Sequence, residues 1–147
     1  MTRLITTLLA LGGAFLALAG SVPAAGEVAR ATVTIKSSAY GRILFDGRGF
    51  VVYGFTRDAR GRSRCIGACA KRWPPYIVSS RPKAGTGVSQ SRLRTIKRSD
   101  GSLQATYAGR PLYYYISDKK PGQILCQNIS EFGGIWRVVR PSGKLVG

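Results

Sequence analysis

The chain has 147 residues, with 23 Lys and Arg against 6 Asp and Glu, a formal net charge of +17 and no histidine. A charge this far from neutral favours solubility and attraction to polyanions and carries no information on fold. The missing imidazole removes the usual general base, the commonest neutral metal ligand and the c-type haem attachment sequence.

Residues 1–24 have the layout of a secretory signal peptide: Arg3, an apolar run from Leu4 to Ala19, then Gly20-Ser21-Val22-Pro23-Ala24. The run is interrupted by Thr6, Thr7, Gly12 and Gly13, and falls short of the roughly 20 apolar residues a membrane span needs. Cleavage after Ala24 leaves 123 residues with a net charge of +16, since Arg3 is lost with the leader; Ala29-Arg30-Ala31 is a weaker second site. That length suffices for one domain, residues 25–147, and not for two. The expected location is outside the cytoplasm, periplasmic or extracellular. No Cys precedes Cys65, so a lipid-modified N-terminus is not expected.

From Ala31 to Lys36 apolar and polar residues alternate as in a half-exposed strand, which Ser37-Ser38 then loosens. Ile43-Leu44-Phe45, the turn signal Asp46-Gly47 and Phe50 to Phe55 predict a hairpin whose second strand is apolar on both faces, Tyr53 and Phe55 on one and Val52 on the other. Such a strand is central or covered. Asp58 closes it, as a carboxylate that accepts from backbone amides two or three positions on. Arg60, Arg62 and Arg64 follow at period two, which on an extended chain stacks three guanidinium groups on one side.

Ser63 is the candidate cap of a short helical turn over Cys65 to Arg72, ended by Trp73-Pro74-Pro75. Tyr76-Ile77-Val78 is a strand candidate. Residues 79–91, rich in Ser, Gly and Pro, form the connector between two units. Leu93 to Arg98 and Leu103 to Tyr107 make a second hairpin, Ala108-Gly109 a turn, and Leu112 to Ile116 a strand with Tyr113 and Tyr115 on one face and Leu112, Tyr114 and Ile116 on the other. Ile135 to Val139 is the last strand.

The segment Gly109 to Asp118 repeats Gly49 to Asp58 sixty positions upstream: Tyr53 answers Tyr113, Phe55 answers Tyr115, and Asp58 answers Asp118. About eight short strands with one helical turn predict a mainly β, antiparallel single domain built from two pseudo-repeats, residues 42–78 and 92–147. Each unit is too small to bury a core alone, so the two are expected to pack on each other.

The motifs Tyr53-x-Phe55-x-x-Asp58, Cys65-x-x-x-Cys69 leading to Trp73-Pro74-Pro75, and Tyr113-x-Tyr115-x-x-Asp118 followed by Trp136 resemble the secreted-repeat family of bacterial exported proteins, many of them predicted lipoproteins with a Tyr-x-aromatic-x-x-Asp motif. The resemblance implies no reaction, and the residues it singles out are read as structural.

Three cysteines in an exported chain allow one disulfide and one leftover thiol, with three pairings. Cys65 with Cys69 is the simplest closure and leaves Cys126 free; Cys126 also stands in the second unit where Cys65 stands in the first. A three-thiolate metal site is the less favoured reading of these cysteines in an oxidising compartment. Asp58 and Asp118 invite a paired-carboxylate reading as acid and base of a carbohydrate-active enzyme, but their matched places at strand ends favour turn capping. Arg57, Arg60, Lys119 and Lys120 crowd them and repel a divalent cation. No catalytic residue, metal or cofactor is therefore expected. The tyrosines with Trp73 and Trp136 are read as core, with a stacking surface for single-stranded nucleic acid or sugar rings as the alternative. The leading functional expectation is a non-enzymatic module whose Arg and Lys surface binds anionic envelope polymers or lipids, or an acidic protein.

Overall fold

A computed structural model describes residues 31–147; the signal-peptide reading of residues 1–24 lies outside the described residues. The fold is mainly β and antiparallel. Strands β1 (Thr32–Ser38) and β2 (Gly41–Asp46) form a hairpin in register Val33 to Asp46 through Ser38 to Gly41. Strand β1 thus runs further than its alternation predicts. Ser38 does not loosen the strand; its hydroxyl accepts from the Tyr40 amide and donates to the Gly41 carbonyl, and Gly41 supplies the positive φ of the turn.

The hairpin expected after Asp46 survives only in its first residues. Asp46 Oδ1 accepts from the Arg48 and Phe50 amides, Phe45 bridges Val51 and the Val52 amide donates to the Leu44 carbonyl, but past Val52 the chain leaves β2. Its continuation β3 (Tyr53–Phe55) pairs instead with β10 (Gly134–Val138) at the far end of the sequence, Phe55 opposite Trp136 and Tyr53 opposite Val138. Helix α1 is Ala68–Arg72, shorter than expected, and Gly67 rather than Ser63 stands at its N-cap. Ser63 is held elsewhere: its hydroxyl accepts from the Cys65 amide. After the helix comes β4 (Ile77–Val78). The 79–91 connector is more ordered than its composition predicts, with β5 (Lys83–Ala84) parallel to β1 and a 3-10 turn at Gln90–Arg92. The Gln90 side chain ties it by accepting from the Ala84 amide and donating to the Pro82 carbonyl.

In the second unit β6 (Leu93–Lys97) and β7 (Leu103–Tyr107) form the expected hairpin, and β8 (Arg110–Pro111) returns along β7 through Ala108-Gly109. The tyrosine run is not a regular strand. Tyr113 bridges Tyr53 on one side and Pro75 on the other, while the Tyr114 and Ile116 amides donate to the Pro74 and Arg72 carbonyls. The two-faced burial holds for Leu112, Tyr113, Tyr114 and Tyr115, but Ile116 is exposed. Strand β9 (Ile129–Glu131), unforeseen, forms a hairpin with β10.

The units exchange pairing partners. Besides β3 with β10, first-unit β4 pairs with second-unit β7, and the Leu44 amide donates to the Val139 carbonyl as the Ala105 amide donates to that of Tyr76. Both core clusters accordingly mix residues of the two units.

Candidate functional site

The two motif tyrosines meet at the seam between the units. Tyr53 and Tyr113 exchange both backbone hydrogen bonds, the Tyr53 amide to the Tyr113 carbonyl at 2.8 Å and the reverse at 3.0 Å. The antiparallel crossing sends each side chain toward the other unit. The Tyr53 hydroxyl donates to Asp118 Oδ2 at 2.7 Å, and the Tyr113 hydroxyl donates to Asp58 Oδ2 at 2.7 Å. Each aspartate also closes its own loop, Asp58 Oδ1 accepting from the Arg64 amide and Asp118 Oδ1 from the Leu125 amide. The caps therefore reach six and seven positions on, not two or three, and one aspartate staples its own loop to the opposite repeat's tyrosine.

The electrostatics follow from burial. Desolvation raises the carboxyl pKa of both Asp58 and Asp118 above the ordinary aspartate value, against the hydrogen bonds that lower it. Burial also raises both phenols above their ordinary value, so they remain donors throughout the neutral range. Both oxygens of each carboxylate are engaged, which suits architecture better than proton transfer to a substrate.

The rings obey the same pseudo-twofold relation. Trp73 and Trp136 lie face to face, centroids 4.0 Å apart and planes 2° from parallel. Phe55 of the first unit covers Trp136 of the second at 4.1 Å, and Tyr115 of the second covers Trp73 of the first at 4.8 Å. Tyr53 meets Trp73 and Tyr113 meets Trp136 edge-on. The symmetry breaks at the indole nitrogens: Trp73 Nε1 donates to Glu131 Oε2, whereas that of Trp136 has no partner among the described residues. Both indoles, Tyr53 and Tyr113 are wholly buried, so these rings offer no face to a stacked base or sugar.

Cys65 and Cys69 form a disulfide at the start of α1, and Cys126 is a buried thiol whose pKa burial pushes up. Among the described residues no three of Cys, Asp and Glu gather in a metal-binding group.

The exposed chemistry lies elsewhere, and sequence spacing alone did not locate it. Ala59 and Arg62 exchange backbone hydrogen bonds in a tight turn, so Arg60, Arg62 and Arg64 do not stack on one side of an extended strand. They line a furrow between the 57–64 loop of the first unit and β6 of the second. One stretch, about 570 Å³, is walled by Arg57, Arg62 and Arg64 across from Lys97 and Arg98. The next, about 690 Å³, has Arg60 facing Arg92 and Arg94, and both stretches share Gly61 and Ile96. Arg98 fixes the loop from below, donating to Ser63 Oγ, Gln104 Oε1 and the Cys65 carbonyl.

A family described as a secreted repeat of unknown function matches the chain twice, over residues 34–76 and 94–140. No curated protein and no solved structure matches it. No helix among the described residues is long and apolar enough to cross a membrane.

Proposed function

The chain belongs to this family of exported repeats, and from that premise we propose that it is a non-enzymatic module that binds anionic components of the cell envelope, in the periplasm or outside the cell, through its basic surface. The observation that carries this reading is the fate of the acids. Residues 31–147 contain 21 of the 23 Lys and Arg, Arg3 and Arg30 lying before them, and 5 of the 6 acids, Glu27 lying before them. Four of those five carboxylates are drawn inward to accept from aromatic donors: Asp46 from Tyr114, Asp58 from Tyr113, Asp118 from Tyr53 and Glu131 from Trp73. Only Asp100 is fully exposed, and it holds its own turn through Ser102. Asp46 and Glu131 also pair with the exposed Arg48 and Arg72; the four acids are otherwise spent on the aromatic donors and their own loops, and the rest of the exterior is left cationic.

Such binding is electrostatic and must be screened. Titration against anionic liposomes, lipopolysaccharide and teichoic-type polymer at rising ionic strength is expected to show association that weakens steeply with salt. No association with any of these at low salt ends the reading.

A further inference from the structure

We propose that the furrow at the seam is a built site for a linear polyanion, a chain of closely spaced phosphates without bases; the inference rests on the envelope-binding reading and names its site and ligand class. The pseudo-symmetry supplies an internal comparison. The Gly61 amide donates to the Gly109 carbonyl at 2.7 Å, and in the second unit the Gly122 amide donates to the Gly49 carbonyl at 2.9 Å. The two aspartates cap Arg64 and Leu125 in the same way. The second loop is one residue longer between its aspartate and its glycine; aligned on the paired glycine and the capped amide, Arg60, Arg62 and Arg64 stand opposite Pro121, Gln123 and Leu125.

The counterpart furrow exists. Its volume is about 560 Å³, and its lining includes Gly49, Pro121, Gly122, Ile124 and Tyr40, with Lys36 as its one cation. The seam furrow carries eight. The second loop carries Lys119 and Lys120, but neither lines its furrow; two loops with the same kind of aspartate cap and the same glycine pairing thus differ in the charge they turn toward the furrow, so arginines at positions 60, 62 and 64 are not needed to fold the loop. Their concentration is a property of this furrow and not only of a basic composition.

The shape and lining choose the ligand. Cations stand on both walls of a concave, elongated site, which suits a chain better than a flat bilayer. Arg92 and Arg98 spend donors on neutral carbonyl or side-chain oxygens and keep their charge. Asp58, at the inner end beside Arg60 and Arg110, has both oxygens occupied. No aromatic ring lines either stretch, whereas single-stranded nucleic acid is held by bases stacking on aromatic side chains.

The test compares the exported chain with two triple variants that each remove three charges: R60Q/R62Q/R64Q in the furrow, and K71Q/K119Q/K120Q on exposed positions outside it. Ligands are linear inorganic polyphosphate and poly(glycerol phosphate), in separate arms that distinguish the sources, with single-stranded DNA of equal charge for comparison. The expected result is binding of at least one base-free polymer, tighter than DNA, weakened roughly tenfold or more in the furrow variant and far less in the control. The log–log salt slope should fall by about two, at about 0.7 for each phosphate that an arginine no longer neutralises. Equal weakening in the two variants overturns the furrow while leaving envelope binding standing, and tighter binding of DNA overturns the base-free ligand. Failure of the unmodified chain to bind any polyanion overturns both readings. Thermal unfolding confirms that each variant is folded, and R62Q/R64Q serves as the second variant if the triple one is not.

Discussion

At the scale of single residues, the motif's Tyr and Asp look like a local pair and are not one. Their bond is made to the other repeat, which is why a reading along one strand assigns Asp58 and Asp118 to their own turns and misses the donors. The loop-closing half of their role was legible, because an aspartate at a strand end is a recurrent acceptor of backbone amides. The other half needed the crossing of Tyr53 over Tyr113. Tyr53→Phe removes the donor from Asp118 Oδ2 in a buried setting and is expected to cost about 1–3 kcal/mol. The cost should depend on pH. Because burial raises the Asp118 pKa, the folded state binds the proton more tightly than the unfolded chain. That contribution to stability is full below the ordinary aspartate value and is lost as pH rises through the folded one. A neutral carboxyl tolerates a missing donor better than a charged one, so urea unfolding should show a larger penalty for Tyr53→Phe at pH 7 than at pH 4. An equal penalty at both would mean that the hydroxyl matters for packing alone.

At the scale of elements, the sequence shows best those strands whose partners are close along the chain. The β6–β7 hairpin is legible, since Ser99-Asp100-Gly101-Ser102 announces its turn. Hairpin β9–β10 is not, because its turn carries Phe132 at φ 54 before Gly133 at φ 73, and a phenylalanine is a poor signal for a conformation that favours Asn, Asp or Gly. The strained residue makes a prediction. Phe132 is 40% exposed, so Phe132→Asn gives up little packing while relieving the left-handed backbone. A gain of about 0.5–1 kcal/mol in unfolding free energy is expected. A decrease would show that the ring contributes more at the surface than the backbone conformation costs. The basic furrow was illegible for a related reason: the period-two arginines suggest one extended edge, and only the turn closed between Ala59 and Arg62 divides them along a concave wall.

At the scale of the molecule, the repeat could be read from spacing but the exchange of strands could not, since pairings such as β3 with β10 join residues some eighty positions apart and leave no local trace. What the repeat did convey is that neither half can bury its tyrosine face alone. The structure gives that statement a mechanism: Trp73 is covered by Tyr115 and Trp136 by Phe55, and β4 completes its ladder on β7. Residues 31–91 and 92–147, expressed separately, would each leave an indole, a strand edge and a buried aspartate without its tyrosine. Both fragments are therefore expected to lack a cooperative thermal transition on their own, and to regain the near-ultraviolet dichroism of the packed indoles when mixed in equal amounts. In the intact chain Trp73→Ala should lower the stability of both halves together, by about 3–5 kcal/mol, and hydrogen exchange should show β2 and β7 losing protection in step. A fragment that folds alone, or a variant that melts only its own half, would mean that the stacked indoles join two independent domains.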